Sequence, residues 1–286
     1  MTRLAIFFLW LLHFLPSTAL ISLGNGLGRL LYLVAIPRRR ITLTNLGLCF
    51  PELSEAERIA LAKRHFALFG RTFIERTVLW WGSAERIRAM ARVEGLEHVR
   101  AQGQRPVILF GIHFVGMDLG WTRLSLELDM SAMYSLQKNK VFNDLMVARR
   151  NRFGDCVMIS RQEGIKAAIT AMCSGKPLMY LPDMDFGPQH SIFVPFFGVN
   201  TATITGLSKL AASSGAAVVP TITRLEADGW VVRILPPWQD FPTDDLVADT
   251  RRMNAFIEQQ AGELPEQYWW THKRFKTRPP GEKSFY

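Results

Sequence analysis

Cysteine is scarce in this chain: Cys49, Cys156 and Cys173 are the only three in 286 residues, and no two form a C-x-x-C pair. That excludes a disulfide framework and a thiolate metal site, and it fits a reducing compartment. Neither a G-x-S-x-G elbow nor a Walker-type phosphate loop occurs, which excludes a serine hydrolase of the α/β type and a P-loop kinase. Zinc-finger, RNP and helix-turn-helix signatures are also missing, so nothing supports a nucleic-acid partner. Charged residues make up only 21% of the chain against 48% hydrophobic. This composition excludes disorder and suffices for one large core, or for a core plus a membrane anchor. The charge present is unbalanced, with 34 Lys and Arg against 25 Asp and Glu for a net +9, and it favours an anionic partner such as a phospholipid surface or a phosphorylated substrate.

The longest apolar stretch is N-terminal. Leu4 to Leu23 carries no charge over 20 residues, a length that can cross a bilayer, and is interrupted only by His13 and Pro16. A second apolar segment, Leu27 to Ile36, leads to Pro37 and the cluster Arg38-Arg39-Arg40. Because the cations follow the hydrophobic region, the positive-inside rule puts the body of the protein on the cytoplasmic side of the membrane. Residues 1–40 are read as a membrane anchor, either a true span or a partly inserted hairpin, and residues 41–286 as one catalytic α/β domain. A cleaved signal peptide ending near Ser17-Thr18-Ala19 is the alternative.

Beyond the anchor, Ser54-Glu-Ala-Glu57 has the form of a capping box and opens a long helix towards Trp80-Trp81, and Ser83 caps a shorter one. Strand-like and helix-like segments then alternate: strands at 107–112, 131–136, 156–159, 178–181 and 218–223, helices at 142–152, 163–173 and 203–213. Alternation of this kind predicts a mostly parallel central sheet flanked by helices. Ala227-Asp228-Gly229 reads as a hairpin turn into an antiparallel addition, Trp230 to Leu235, and a helix over 243–262 closes the domain. No internal repeat or low-complexity segment is present.

The stretch Pro106 to Gly120 is where chemistry concentrates. Val107 to Ile112 is short, apolar and β-rich, as a strand covered on both faces should be, and a helical pattern opens at Gly116. His113 therefore stands at the carboxyl end of a strand. Asp118 follows five positions later; on one continuous helix the two would diverge by about 140°, but a strand-to-helix turn lets them meet. Asp118 in the first helical turn suits the macrodipole and can accept an imidazole N–H, leaving the other ring nitrogen as a base. This is the base-and-orienter part of a Ser-His-Asp triad without the serine, which suits an enzyme whose nucleophile is a hydroxyl of the substrate.

Ligands of open α/β sheets bind beyond the carboxyl ends of strands, and the turn Pro182-Asp183-Met-Asp185-Phe-Gly187 should lie in the same crevice as His113. Asp183 and Asp185 are either loop-forming residues or groups that hold a substrate amine, an arginine or a metal. Arg149, Arg150 and Arg152, with Lys138 and Lys140, crowd one helix; they form a solvated face or forked contacts to a bound phosphate or carboxylate. Tyr268 to Lys276 mixes aromatics with cations, a composition of membrane interfaces and equally of a terminal segment packed into the core.

These blocks together make the chain similar to the lipid A biosynthesis late acyltransferases, within the lysophospholipid acyltransferase superfamily. The resemblance runs nearly end to end through Arg38-Arg-Arg-Ile-Thr-Leu-Thr-Asn45-Leu-Gly-Leu-Cys49-Phe50-Pro51-Glu52, Ser54 to Arg58, Trp80-Trp81, the His113-x4-Asp118 box, Asp183 to Pro188, Phe193 to Phe197 and Arg274-Phe-Lys-Thr-Arg278-Pro. It implies transfer of a fatty acyl chain from acyl carrier protein to a hydroxyl of an anionic glycolipid acceptor, a Kdo-bearing lipid A precursor, with no metal or organic cofactor. It also implies His113 as general base, Asp118 as its orienter, and Arg149, Arg150, Arg152, Asp183 and Asp185 as substrate-binding residues, with Arg150 or Arg152 as the cleft arginine. Asp118 stands where the lipid A branch often has Glu, which leaves room for another acyl-lipid acceptor, an aminolipid or glycolipid. The Asn that precedes the histidine in the glycerolipid branch is Ile112 here, and no Pro-Glu-Gly-Thr motif occurs, which disfavours a glycerol-phosphate acceptor. A non-catalytic lipid-binding protein would have no need of an intact His113 and Asp118.

Overall fold

The computed structural model describes residues 2–286, so Met1, the first residue of the expected anchor, lies outside it. Three helices open the chain, α1 (Thr2–Leu12), α2 (Ser17–Val34) and α3 (Ile36–Cys49). The apolar stretch Leu4 to Leu23, long enough for a span, is thus broken between Leu12 and Ser17, where Pro16 cannot continue a helix but serves as the cap residue of the next. Helices α2 and α3 meet at 90°, with Pro37 in the first turn of α3, where its missing N–H costs nothing. Among the described residues no single helix is long and apolar enough to cross a membrane.

The spine of the molecule is α4 (Glu55–Trp81), which begins with the expected capping box: Ser54 Oγ accepts from the Glu57 N–H and Glu57 accepts from the Ser54 N–H at 2.8 Å. Helix α2 lies on α4 along Leu20, Gly24, Gly28 and Tyr32, a stripe at four-residue spacing. The backbones touch there. A Cβ on Gly28 would sit 2.0 Å from the Phe66 carbonyl oxygen, and one on Gly70 would sit 2.4 Å from that of Gly24. Tyr32, Leu46 and Cys49 belong to the main core, so the boundary expected at residue 40 falls inside α3 and among residues packed on the domain.

The remainder runs α5 (Ala84–Met90), β1 (Ala91–Glu94), α6 (Leu96–Arg100), β2 (Val107–Gly111), α7 (Met117–Leu124), β3 (Ser131–Tyr134), α8 (Lys140–Arg150) and β4 (Val157–Ser160). It continues through α9 (Gly164–Cys173), β5 (Leu178–Tyr180), β6 (Ser191–Phe196), β7 (Val199–Ile204), α10 (Gly206–Ser214), β8 (Ala217–Glu226), β9 (Gly229–Ile234) and α11 (Leu246–Glu263). Seven strands form one sheet in the order β1-β9-β8-β2-β5-β3-β4. Every neighbouring pair is parallel except the β8–β9 hairpin, the antiparallel addition foreseen at Ala227-Asp228-Gly229. Strand β2 is central and buried throughout, as its composition requires.

Thr203 does not begin a helix. It lies in β7, which pairs antiparallel with β6 in a separate two-stranded sheet, and α10 starts only at Gly206. The β-branched Thr201, Thr203 and Ile204 favour the strand, and Phe197-Gly198 turns the hairpin with φ of 48° and 75°, the primed-turn geometry that usually announces itself as Asn-Gly. The aromatic C-terminal segment is core: Tyr268, Trp270, Arg274 and Phe275 are all fully buried. It is held from the N-terminal block, since Asn45 Nδ2 donates to the Trp270 and His272 carbonyls at 2.8 and 2.7 Å and Arg38 donates to the Thr271 carbonyl at 3.1 Å.

The glycine contact gives a direct test. Gly28→Leu must push α2 off α4 and should destabilise the protein by about 1–3 kcal/mol, read as a fall in Tm in detergent. Gly26→Ala, where a Cβ meets nothing within 4 Å, should leave Tm unchanged or raise it slightly. Equal effects of the two substitutions would refute close α2–α4 packing.

Candidate active site

Strands β2 and β5 are parallel neighbours in which Phe110 stands opposite Tyr180. Three residues beyond that pair on each chain are His113 and Asp183, and the register brings them together. Both Asp183 oxygens are spent on His113: Oδ2 accepts the His113 backbone N–H at 2.9 Å and Oδ1 meets Nδ1 at 2.5 Å. Asp183 has no exposed surface. Burial alone would push its carboxyl towards the neutral form, but the positive charge available on His113 and the two hydrogen bonds outweigh it and hold the pKa below the usual carboxylate range. An ionised carboxylate at Nδ1 fixes the proton there, so Nε2 carries the lone pair.

Asp118 does not orient His113. It occupies the first turn of α7 as expected, but its oxygens go to Arg76 Nη2 at 2.5 Å and to Arg150 Nη2. Two guanidinium forks compete for a carboxylate better than one imidazole does, while among the described residues Asp183 has no cation except His113. Burial opposes the ionisation of Asp118, yet Arg150 and Arg76 hold its pKa well below the ordinary range.

The other expected substrate contacts divide. Arg150 lines the main cavity. Arg149 instead lies over the Trp81 ring at 5.7 Å, and Arg152 donates to the carbonyls of Leu79 and Gly82 at the end of α4; successive positions on a helix point about 100° apart. Lys140 pairs with Asp144 at 2.8 Å. The Asp185 carboxylate accepts from Gly187 N at 2.9 Å, Thr277 Oγ1 at 2.8 Å and Thr277 N at 2.6 Å, closing the turn and tying it to the C-terminal segment. Among the described residues no group of three or more His, Cys, Asp or Glu could hold a metal ion.

The cavity measures about 510 Å³ and carries His113, Asp118, Arg150 and His272 on its polar side, with Met117, Met133, Met146, Met158, Met179 and Met184 among its apolar lining. Flexible thioether side chains suit a long, conformationally variable apolar ligand. Two polar residues of the site were not legible beforehand. Arg76, which reaches the cavity only through its pair with Asp118, sits in the aromatic-rich α4 with no local signal, and His272 lay hidden in a block whose aromatics dominated its reading.

Asp118→Asn should leave Arg76 and Arg150 facing each other unpaired and cost about 2–4 kcal/mol at neutral pH. Because the folded pKa is depressed, this stabilisation is fully present above the unfolded carboxylate value near 3.9, declines below it, and is lost only as pH falls through the folded-state value. Urea unfolding should therefore show a gap between variant and parent at pH 7 that begins to narrow below about pH 4 and is still narrowing at pH 3, because the carboxylate stays ionised in the folded protein down to its depressed pKa; a pH-independent gap would contradict the ion-pair account.

The family model described as bacterial lipid A biosynthesis acyltransferase matches residues 1–277. The chain is 38% identical to the lipid A biosynthesis lauroyltransferase of Escherichia coli K12, over 100% of this chain and 94% of that one. It is 35% identical to the palmitoleoyltransferase of the same organism over 97% and 92% of the two chains, and 35% identical to the myristoyltransferase over 92% and 81%. Among solved structures, the 1-acyl-sn-glycerophosphate acyltransferase of Thermotoga maritima superposes with a TM-score of 0.40 at 13% identity, covering 82% of this chain and 97% of its own. With a family model spanning nearly the whole sequence and relatives matched almost end to end, the chain belongs to the bacterial lipid A biosynthesis acyltransferases and is an acyltransferase enzyme.

Proposed function

We propose that this acyltransferase moves a fatty acyl chain from the thioester of acyl carrier protein to a hydroxyl of a Kdo-bearing lipid A precursor at the cytoplasmic face of the inner membrane. The observation that carries the reading is the His113 imidazole, fixed through Nδ1 by Asp183 on the wall of a methionine-lined cavity. Nε2 takes the proton of the acceptor hydroxyl as its oxygen attacks the thioester carbonyl carbon. The tetrahedral adduct then collapses, the C–S bond breaks, and the imidazolium returns the proton to the departing thiolate. Asp183 holds the tautomer and stabilises the imidazolium without itself taking the proton. Protons and electrons balance with no metal or organic cofactor.

Arg76 and Arg150 share the single carboxylate of Asp118, so the cluster keeps one positive charge for a phosphate of the acceptor. Asp118 then acts through the arginines, and Arg150 is the member of the sequence-identified trio that meets the ligand. The apolar cavity takes the acyl chain.

Membrane seating rests on the N-terminal helices. Leu4, Phe7, Phe8, Leu11 and Phe14 of α1 and the following turn are exposed, as are Leu30, Leu33 and Val34 of α2, and Arg38 and Arg40 follow at the exposed start of α3. An apolar face edged with cations favours a helix pair lying in the bilayer interface with the catalytic body on the cytoplasmic side.

His113→Ala in the purified protein should reduce acyl transfer, followed by mass spectrometry of the acceptor, roughly 100- to 10,000-fold with Tm preserved; near-normal turnover would reject the base. A reporter active only in the periplasm, fused after Tyr286, should stay silent. Strong reporter activity would reject the orientation.

A further inference from the structure

The turn from Pro182 to Gly187 holds two histidines. Asp183 fixes His113 with its carboxylate, and two residues on, the Asp185 backbone N–H donates to Nε2 of His272 at 3.0 Å. A backbone N–H can only donate, so Nε2 of His272 is the unprotonated nitrogen and the ring proton sits on Nδ1. That Nδ1–H makes no hydrogen bond among the described residues, and the His272 ring lines the same cavity as the His113 ring. One turn thus leaves an imidazole lone pair on His113 and an imidazole donor on His272, on two rings that line the same space.

From this pairing we propose that His272 is a second catalytic residue, whose Nδ1–H donates to the thioester carbonyl oxygen as it becomes an oxyanion while His113 removes the acceptor proton. The inference rests on the reading of His113 given above. No proton is transferred by His272: the carbonyl π electrons move to oxygen as the new C–O bond forms, the donor stabilises that charge, and the electrons return as the C–S bond breaks. The ring is suited to remain a neutral donor. Burial, with the nearby charges of Arg274 and His113, pushes its pKa down to about 4, so it stays uncharged at neutral pH, and neutral imidazole is an effective electrophile in such a setting.

Its position is over-determined. The carbonyl of His272 accepts from Asn45 Nδ2 at 2.7 Å, and the Trp269 N–H donates to the His113 carbonyl at 3.0 Å. Phe114 and Tyr268 form a β-bridge between the two segments. The donor is therefore preorganised relative to the base, as electrostatic stabilisation requires. The buried Asn45 and the aromatic C-terminal block acquire a common purpose in this arrangement.

Two amide substitutions separate the catalytic role from a structural one, because each reproduces one nitrogen of the ring. In His272→Gln the side-chain oxygen can reach the Nε2 position and satisfy the Asp185 N–H, but the cavity donor is lost. In His272→Asn the amide occupies the Nδ1 position, keeping the donor and losing the acceptor. Assayed with acyl carrier protein thioester and the lipid acceptor, and with the thioester and water alone, His272→Gln should keep its Tm and lose roughly 100- to 1,000-fold in kcat for both transfer and hydrolysis. His272→Asn should be less stable but retain more turnover. A His272→Gln protein within threefold of the parent, or one changed only in its KM for the acceptor, would overturn the proposal. His113→Ala in the same assays isolates the failure: if it is inactive while His272→Gln is normal, only the donor role is wrong, and if it is fully active, the reading of His113 falls and this inference with it.

Discussion

A carboxylate with no water around it depends on the protein for every hydrogen bond it makes, and Asp183 makes its side-chain bonds to His113. Stranding it would cost several kcal/mol; two charge-assisted bonds offset that cost only when β2 and β5 stay in register and His113 keeps one orientation. The adjoining turn depends on the same constraint. Asp185 closes it and binds Thr277, the C-terminal segment packs beside β2, and Asn45 of α3 grips that segment from the other end of the sequence. Segments separated by some two hundred residues meet behind one imidazole.

The charge on the opposite wall is arranged differently. Asp118, Arg76 and Arg150 come from α7, α4 and α8 and form an ion cluster that borders the cavity. Arg76 reaches it from the long helix on which α2 is packed through Gly24, Gly28 and Gly70. The N-terminal helices and the polar wall are consequently built on the same element, so the exposed apolar face of α1 and α2 is set rigidly relative to the cavity.

Features written in short-range pattern were legible: the buried strand ending before His113, the Ser54 capping box, the hairpin at Ala227-Asp228-Gly229 and the alternation that makes a mostly parallel sheet. The partner of His113 was not, because choosing Asp183 over Asp118 requires knowing that β5 lies beside β2, and strand order is set by long-range packing. Which arginine faces the cavity depended on the angular phase of the last turn of α8, where one residue is worth about 100°. Pro16 was visible, but the uniform hydropathy around it concealed the break it imposes. At Thr203 the strand lacked an Asn-Gly turn to announce it, and the buried Arg274, which donates to the Ala202 carbonyl and to Thr203 Oγ1, stood in a block whose composition suited a membrane interface and a packed terminal segment equally. The ordered sequence blocks that carried the family resemblance prove to be largely the residues that hold one another in place.

The central claim is that Asp183 orients the His113 imidazole and Asp118 does not. Proton NMR of the histidine ring N–H groups in 15N-histidine-labelled protein tests it most directly, with His113→Ala assigning the His113 Nδ1–H resonance. A low-field resonance that persists in Asp118→Asn and is lost or shifted strongly upfield in Asp183→Asn is the predicted result. A resonance that survives in Asp183→Asn and disappears in Asp118→Asn would contradict the account.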